Sequence, residues 1–218
     1  MIKKYLLVIL LFSCAQTMAQ KVNLSFTGGY MVGDKFDSFY EDDSYYFSKV
    51  SDGLQVGTGV EYVMPTNYSI DFNYFFQSTT APTTFSIDSS RAFADFDLTL
   101  HNVVFGFNKH LASDNGLYDV YGGITTGILF AAISEDASSY DASSVNFTWG
   151  AKAGCNLFLS PVVGLKLQTQ LITAVQAMGG ELYFDEAGKL PGLKTKSNLY
   201  QFSVLGGIVF KLGKQSQN

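Results

Sequence analysis

The sequence predicts an all-β protein, an eight-stranded antiparallel transmembrane up-and-down β-barrel. Three observations predict it. Eight stretches of about ten residues alternate apolar and polar side chains, the length of a tilted membrane strand. Their connections are alternately long and very short. Only 15% of the residues are charged, against about 25% in an ordinary soluble domain. Beyond the N-terminal segment no stretch stays apolar for the roughly 18 residues that a spanning helix requires. A chain that crosses lipid without such helices must close its sheet, because only closure pairs every backbone N–H and C=O.

Residues 1–19 read as a signal peptide. Lys3 and Lys4 form a charged start, Tyr5 to Phe12 an apolar run, and Thr17-Met18-Ala19 places small residues at the −3 and −1 positions of a cleavage site. Leu11-Phe12-Ser13-Cys14 loosely matches a lipobox, which keeps a lipidated Cys14 as an alternative. Residues 20–218 are then one barrel domain. Removing Lys3 and Lys4 takes the formal charge from −5 to −7, which argues against nucleic acid as a partner. One cysteine remains, Cys155, with no partner for a disulfide; strand parity puts it on the apolar face as a small hydrophobe.

The first strand is Val22 to Met31, with Val22, Leu24, Phe26 and Tyr30 opposed to Asn23, Ser25 and Thr27. The second, Leu54 to Met64, sets Leu54, Val56, Val60 and Tyr62 against Gln55, Gly57, Gly59 and Glu61, and Pro65-Thr66-Asn67 turns it. The third sets Tyr68, Ile70, Phe72, Tyr74 and Phe76 against Ser69, Asp71, Asn73 and Phe75. In the fourth, about Phe96 to Asn108, the apolar set slips by one residue near His101-Asn102, and a β-bulge is the simplest repair. The fifth runs from Tyr118 to Phe130, the sixth from Val145 to Leu159, the seventh from Val163 to Leu171 and the last from Tyr200 to Leu212. Connections near 65–67, 109–116 and 160–162 are short, and those at 33–52, 78–94, 131–144 and 174–196 are long. A soluble barrel has no reason to sort its loops by side, whereas membrane barrels put short turns inside and long loops outside.

The polar face is mostly Gly, Ser, Thr, Asn and Gln rather than the Lys and Glu of a soluble surface, so it is expected to line a narrow lumen. Aromatic residues collect at strand ends: Tyr62, Tyr68, Tyr118 and Phe210 on the turn side, and Tyr30, Phe76, Phe130, Trp149 and Tyr200 toward the loops. Amphipathic rings favour membrane–water interfaces. With the Met-Ala-Gln signal end and a final strand Tyr200-Gln201-Phe202-Ser203-Val204-Leu205-Gly206-Gly207-Ile208-Val209-Phe210, the chain resembles the small outer-membrane β-barrels, of OmpA/OmpX type and of Bacteroidetes-type bacteria. The resemblance implies outer-membrane lipids as surroundings and the barrel-assembly machinery as a partner during insertion. Ile208-x-Phe210 approximates the C-terminal signal that machinery reads in such proteins, and Lys211 to Asn218 overshoot it.

Candidate chemistry falls in two places. Glu61 and Asp71 lie five residues either side of Thr66, which makes them inward cross-strand neighbours. Two carboxylates so close need a cation, and Lys152 and Lys166 are inward nearby, with Asp119 and Lys211 near the periplasmic end. The expectation is a lumenal ion-pair cluster of Glu61, Asp71, Lys152 and Lys166 that braces and plugs the barrel; a gated ion path is the alternative. The second place is the first long loop, where Phe36, Phe39, Tyr40, Asp42, Asp43, Tyr45 and Tyr46 combine acids with aromatics. Such residues either pack on the rim or recognise an extracellular partner. A lipid-modifying barrel enzyme needs a His with a Ser and a carboxylate at the outer rim. Of the two histidines, His110 falls in the turn region, and His101, with Val103 two residues on, is expected to face the lumen as a hydrogen-bonding group. No metal or cofactor motif is present. The reading is a non-enzymatic barrel without a cofactor, exposing acidic aromatic loops; a lipid-modifying enzyme, a narrow pore and a soluble lipocalin-like carrier are the alternatives.

Overall fold

The structure, a computed structural model, describes residues 22–33, 35–39, 45–87, 90–135, 140–176 and 197–212. It contains ten strands: β1 (Val22–Val32), β2 (Lys35–Phe39), β3 (Tyr45–Lys49), β4 (Gly53–Val63), β5 (Tyr68–Ile87), β6 (Ser90–Ala112), β7 (Tyr118–Glu135), β8 (Tyr140–Phe158), β9 (Val163–Gln176) and β10 (Ser197–Leu212). Eight of them form the barrel, in the order β5-β4-β1-β10-β9-β8-β7-β6, and pairing of β5 with β6 closes it. Every pairing is antiparallel. The turn at residues 64–67 closes with Asn67 N–H donating to Met64 O at 3.2 Å, and Asn67 itself is left-handed at φ 60°, a conformation Asn tolerates better than most residues.

The registers fix the size of the barrel. Following cross-strand partners from Val22 through Tyr62, Ile70, Phe107, Ile124, Ala151, Leu171 and Phe202 returns to β1 at Val32, ten residues beyond the start. A stagger of ten over eight strands, with about 3.3 Å per residue and about 4.8 Å between strands, tilts the strands by about 40° and leaves about 16 Å between opposite backbones. Each residue then climbs about 2.5 Å along the barrel axis. Side chains fill an interior of that width.

The barrel is inside-out relative to a soluble protein. Leu54, Val56, Val60, Ile124, Val145, Phe147, Leu165 and Leu167 are all exposed, while Asn23, Gln55, Glu61, Asp71, Asn102, Lys152 and Gln168 are buried. Apolar side chains therefore cover the outer wall, as a surface in contact with lipid requires. The aromatic girdles stand at matching heights. Tyr118 and Phe130 on β7 are twelve residues apart, and Phe210 and Tyr200 on β10 are ten apart, about 30 and 25 Å along the axis at that tilt. At the turn-side girdle Lys109 Nζ lies 4.1 Å from the Tyr68 ring centroid, with its aliphatic stem free to run along the wall.

Three expectations need correction. The registers on both sides of β6 run without interruption, from Tyr68↔Lys109 to Ile87↔Ser90 and from Ala112↔Asp119 to Asp97↔Ser134, so there is no bulge at His101-Asn102. Leu98 and Leu100 instead point inward, both buried. The upper lumen is partly apolar, so an apolar side chain does not always mean an outward one. Second, segments 78–94 and 131–144 are largely strand, since β5, β6, β7 and β8 continue well beyond the upper girdle. Third, the connection 33–52 holds the β2–β3 hairpin, whose β3 pairs with β5 from Tyr45↔Ser86 to Ser48↔Thr83.

Candidate functional site in the lumen

β4, β5, β6, β7 and β8 deliver the charged side chains of the lower lumen. Glu61 and Asp71 are direct cross-strand partners, both buried. Asp71 pairs with the Lys152 ammonium and accepts hydrogen bonds from Asn73 and Asn108 Nδ2, each at 2.6 Å. Glu61 accepts from Ser69 Oγ at 2.7 Å and from Asn23 Nδ2 at 3.0 Å. Asn108 thus lies between the two carboxylates, its amide also 3.4 Å from Glu61 Oε1. A buried carboxylate is tolerable only with its lone pairs so occupied.

His110 completes this network. Its Nε2 is 3.1 Å from Glu61 and its Nδ1 is 2.9 Å from Asp119. Carboxylates only accept, so the geometry suits an imidazole with a proton on each nitrogen. The ring also stacks on Tyr121 at 5.5 Å between centroids. Lys166 approaches the same Tyr121 face, its Nζ 4.4 Å from the centroid, a cation–π contact. The Tyr121 hydroxyl donates to Gln168 at 2.8 Å, Gln168 to Gln170 at 3.1 Å, and Gln170 to Gln55 at 3.1 Å. That amide ladder climbs from the charged layer toward the outer half. Beside it Phe75, Val104, Ile172 and Leu205 form an apolar cluster within the lumen.

Glycines make room for these side chains. A Cβ on Gly106 would collide with both Asp71 Oδ1 and Lys152 Nζ, and one on Gly154 with the Tyr121 ring and hydroxyl. Both are small because a large neighbour occupies the adjacent lumen.

The structure brings Glu61, Asp71 and Lys152 into one network. Lys166 is buried at its edge, but among the described ion pairs it makes none and rests on Tyr121 instead. Asp119 joins through His110, and Lys211 lies over the Phe158 ring, 3.3 Å from its centroid. His110 is the member that sequence reasoning missed. A strand that ends near Asn108 leaves His110 in the turn, whereas β6 runs to Ala112 and carries His110 inward at 2% exposure. The parity of Asn102, Val104, Gly106 and Asn108 was the signal that could have found it. His101 is a correction in the opposite sense. It faces outward beside Tyr74 and Phe76, not into the lumen, because the uninterrupted register leaves odd-numbered β6 residues on the lipid side.

In the first loop, β2 and β3 put Phe39 opposite Tyr45 and Ser38 opposite Tyr46, with Phe36 opposite Ser48. Tyr40, Asp42 and Asp43 lie outside the described residues. No group of His, Cys, Asp and Glu suited to a metal occurs among the described residues.

No family model matches the chain, and no curated protein does either. Solved structures do. Neisserial surface protein A matches with a TM-score of 0.58 at 10% identity, over 88% of this chain and 97% of that one. The outer membrane protein OprG from Pseudomonas aeruginosa matches at 0.55 and 11%, over 90% and 99%. The likeness is one of fold: a closed, all-antiparallel eight-stranded barrel.

Proposed function

We propose that this chain is a non-enzymatic integral outer-membrane β-barrel, exported behind a signal peptide at residues 1–19, with its lumen braced shut and its projecting strands serving contact outside the cell. The observation that carries this reading is the pair of side-chain clusters enclosed by the barrel. The Glu61–Asp71–Lys152–His110 network lies in the lower half, and Phe75, Val104, Ile172 and Leu205 lie together beside the amide ladder. Charged side chains paired in this way hold strands together, and a permeating ion would have to break those pairs. Planar-bilayer recording on the refolded barrel tests it. Silence from the wild type and from Lys166→Ala is expected, and discrete channel events from the wild type would sink the closed-lumen reading.

One observation favours the lipid-modifying alternative: His101 stands on the lipid face opposite Phe130 of the upper girdle. Its Nδ1 is held by the Tyr74 hydroxyl at 2.7 Å, where an acid–base pair would need a carboxylate. Val103, on the same face two residues on, offers no nucleophile, and no described hydrogen bond joins His101 to Thr99 or Asp97 on its other side. We therefore keep the non-enzymatic reading.

A further inference from the structure

We propose that the outward face of β5 and β6 at the upper girdle is a binding site for the sugar head group of an outer-leaflet glycolipid. The inference rests on the outer-membrane orientation proposed above and adds a lipid class to it. His101 is half-buried between two cross-strand neighbours, Phe76 on β5 and Phe130 on β7. Its ring centroid lies 5.2 Å from that of Phe76, and its Nδ1 2.7 Å from the Tyr74 hydroxyl. With the Tyr74 hydroxyl as donor to Nδ1, Nε2 is the ring nitrogen that carries a proton. Nε2 has no partner among the described residues.

Above His101 the face changes character. Thr99 stands opposite Ser78, and Asp97 opposite Thr80. The Thr80 hydroxyl meets Ser51 Oγ at 3.1 Å, but the Ser78 and Thr99 hydroxyls and the Asp97 carboxylate take part in none of the described hydrogen bonds. Asp97 is four residues beyond His101, about 10 Å up the axis, so the set spans roughly the head-group layer. Phe76 and Phe130 lie at its lower edge, where acyl chains begin.

The chemistry selects the head group. One N–H that donates, two hydroxyls that do both and a carboxylate that accepts match the neighbouring hydroxyls of a sugar ring. A phosphate requires cationic donors. On the described outward face of β5, β6 and β7 at this height there is no Lys or Arg, and Asp97 would repel it.

The chain's two histidines make the test direct, because His110 in the lumen is an internal control. Full-length barrel labelled at histidine would be placed in phosphatidylcholine nanodiscs carrying increasing monogalactosyl diacylglycerol or, separately, phosphatidylglycerol. The expected result is a saturable shift of the His101 imidazole signals with the galactolipid, none at His110, and none with phosphatidylglycerol. Asp97→Asn combined with Thr99→Val should weaken the apparent affinity at least fivefold without moving the His110 signals. Equal responses to both lipids, a response to phosphatidylglycerol alone, or no response from an inserted barrel would each overturn the proposal. Heat-modifiable migration of the same sample reports insertion, and a barrel that fails to insert overturns the membrane reading together with it.

Discussion

Asp71 and Lys152 show how the lumen trades stability against definition. Two opposite charges removed from water return about what their desolvation costs, but one left alone does not. Lys152→Ala should therefore destabilise the barrel by about 3–5 kcal/mol, and the double substitution Asp71→Leu/Lys152→Met by far less. Urea unfolding in phospholipid vesicles compares the two, and equal losses would contradict the coupling. Much of this site was legible in the sequence, because Glu61 and Asp71 are equidistant from a recognisable turn. Their partners were less so. Lys166 has the parity and depth of an ion-pair member, yet the aromatic face that takes its ammonium belongs to Tyr121 on β7, a contact no spacing reveals. Gly106 reads as any strand glycine until the pair that needs its space is in view.

At the level of elements, period-2 alternation located all eight barrel strands and failed in a specific way on β6. Before the slip near His101-Asn102, alternation groups Leu98 and Leu100 with the apolar residues that elsewhere face lipid. The upper lumen packs Leu98, Leu100, Leu129 and Phe75 inward instead, and uninterrupted hydrogen bonding outweighs the preference of individual side chains for lipid. Strand length failed for a related reason. Past the girdle the alternation loses its lipid partner, so the overhangs of β5 to β8 read as loops. The outward face remains testable strand by strand. Ile124, 68% exposed, sits near mid-membrane, whereas Leu54, 73% exposed, lies near the upper girdle. Ile124→Arg is expected to cost about 2–4 kcal/mol and Leu54→Arg about 1 kcal/mol or less. A soluble barrel would tolerate both equally, so equal and small effects on unfolding in vesicles would remove lipid from the outer wall.

For the molecule as a whole, closure is achieved without the first-loop hairpin. β1 pairs β4 and β10, and β5 pairs β6, while β3 pairs the overhang of β5 and β2 pairs β3, neither being a member of the closed ring. Deleting residues 36–47 should leave heat-modifiable migration intact and shift the unfolding free energy by about 1 kcal/mol or less, since surface segments contribute little to the closed frame. Loss of the folded band in detergent gels would show that the hairpin is needed for assembly.

The overhang itself has a mechanical side. Ile87 lies eleven residues past Phe76 on the same unbroken strand, so the crest stands about 27 Å above the upper girdle at the barrel's tilt. On β9 and β1 the described strands end at Gln176 and Val32, which are lower. Among the described residues the strands therefore rise higher on the β5–β6 side than on the β9–β1 side. A force applied at the crest runs along β5 and β6 together, and it loads their ladders with β4 and β7 in shear, many hydrogen bonds at once, rather than peeling them singly. Anything tethered to that crest is coupled stiffly to the membrane wall.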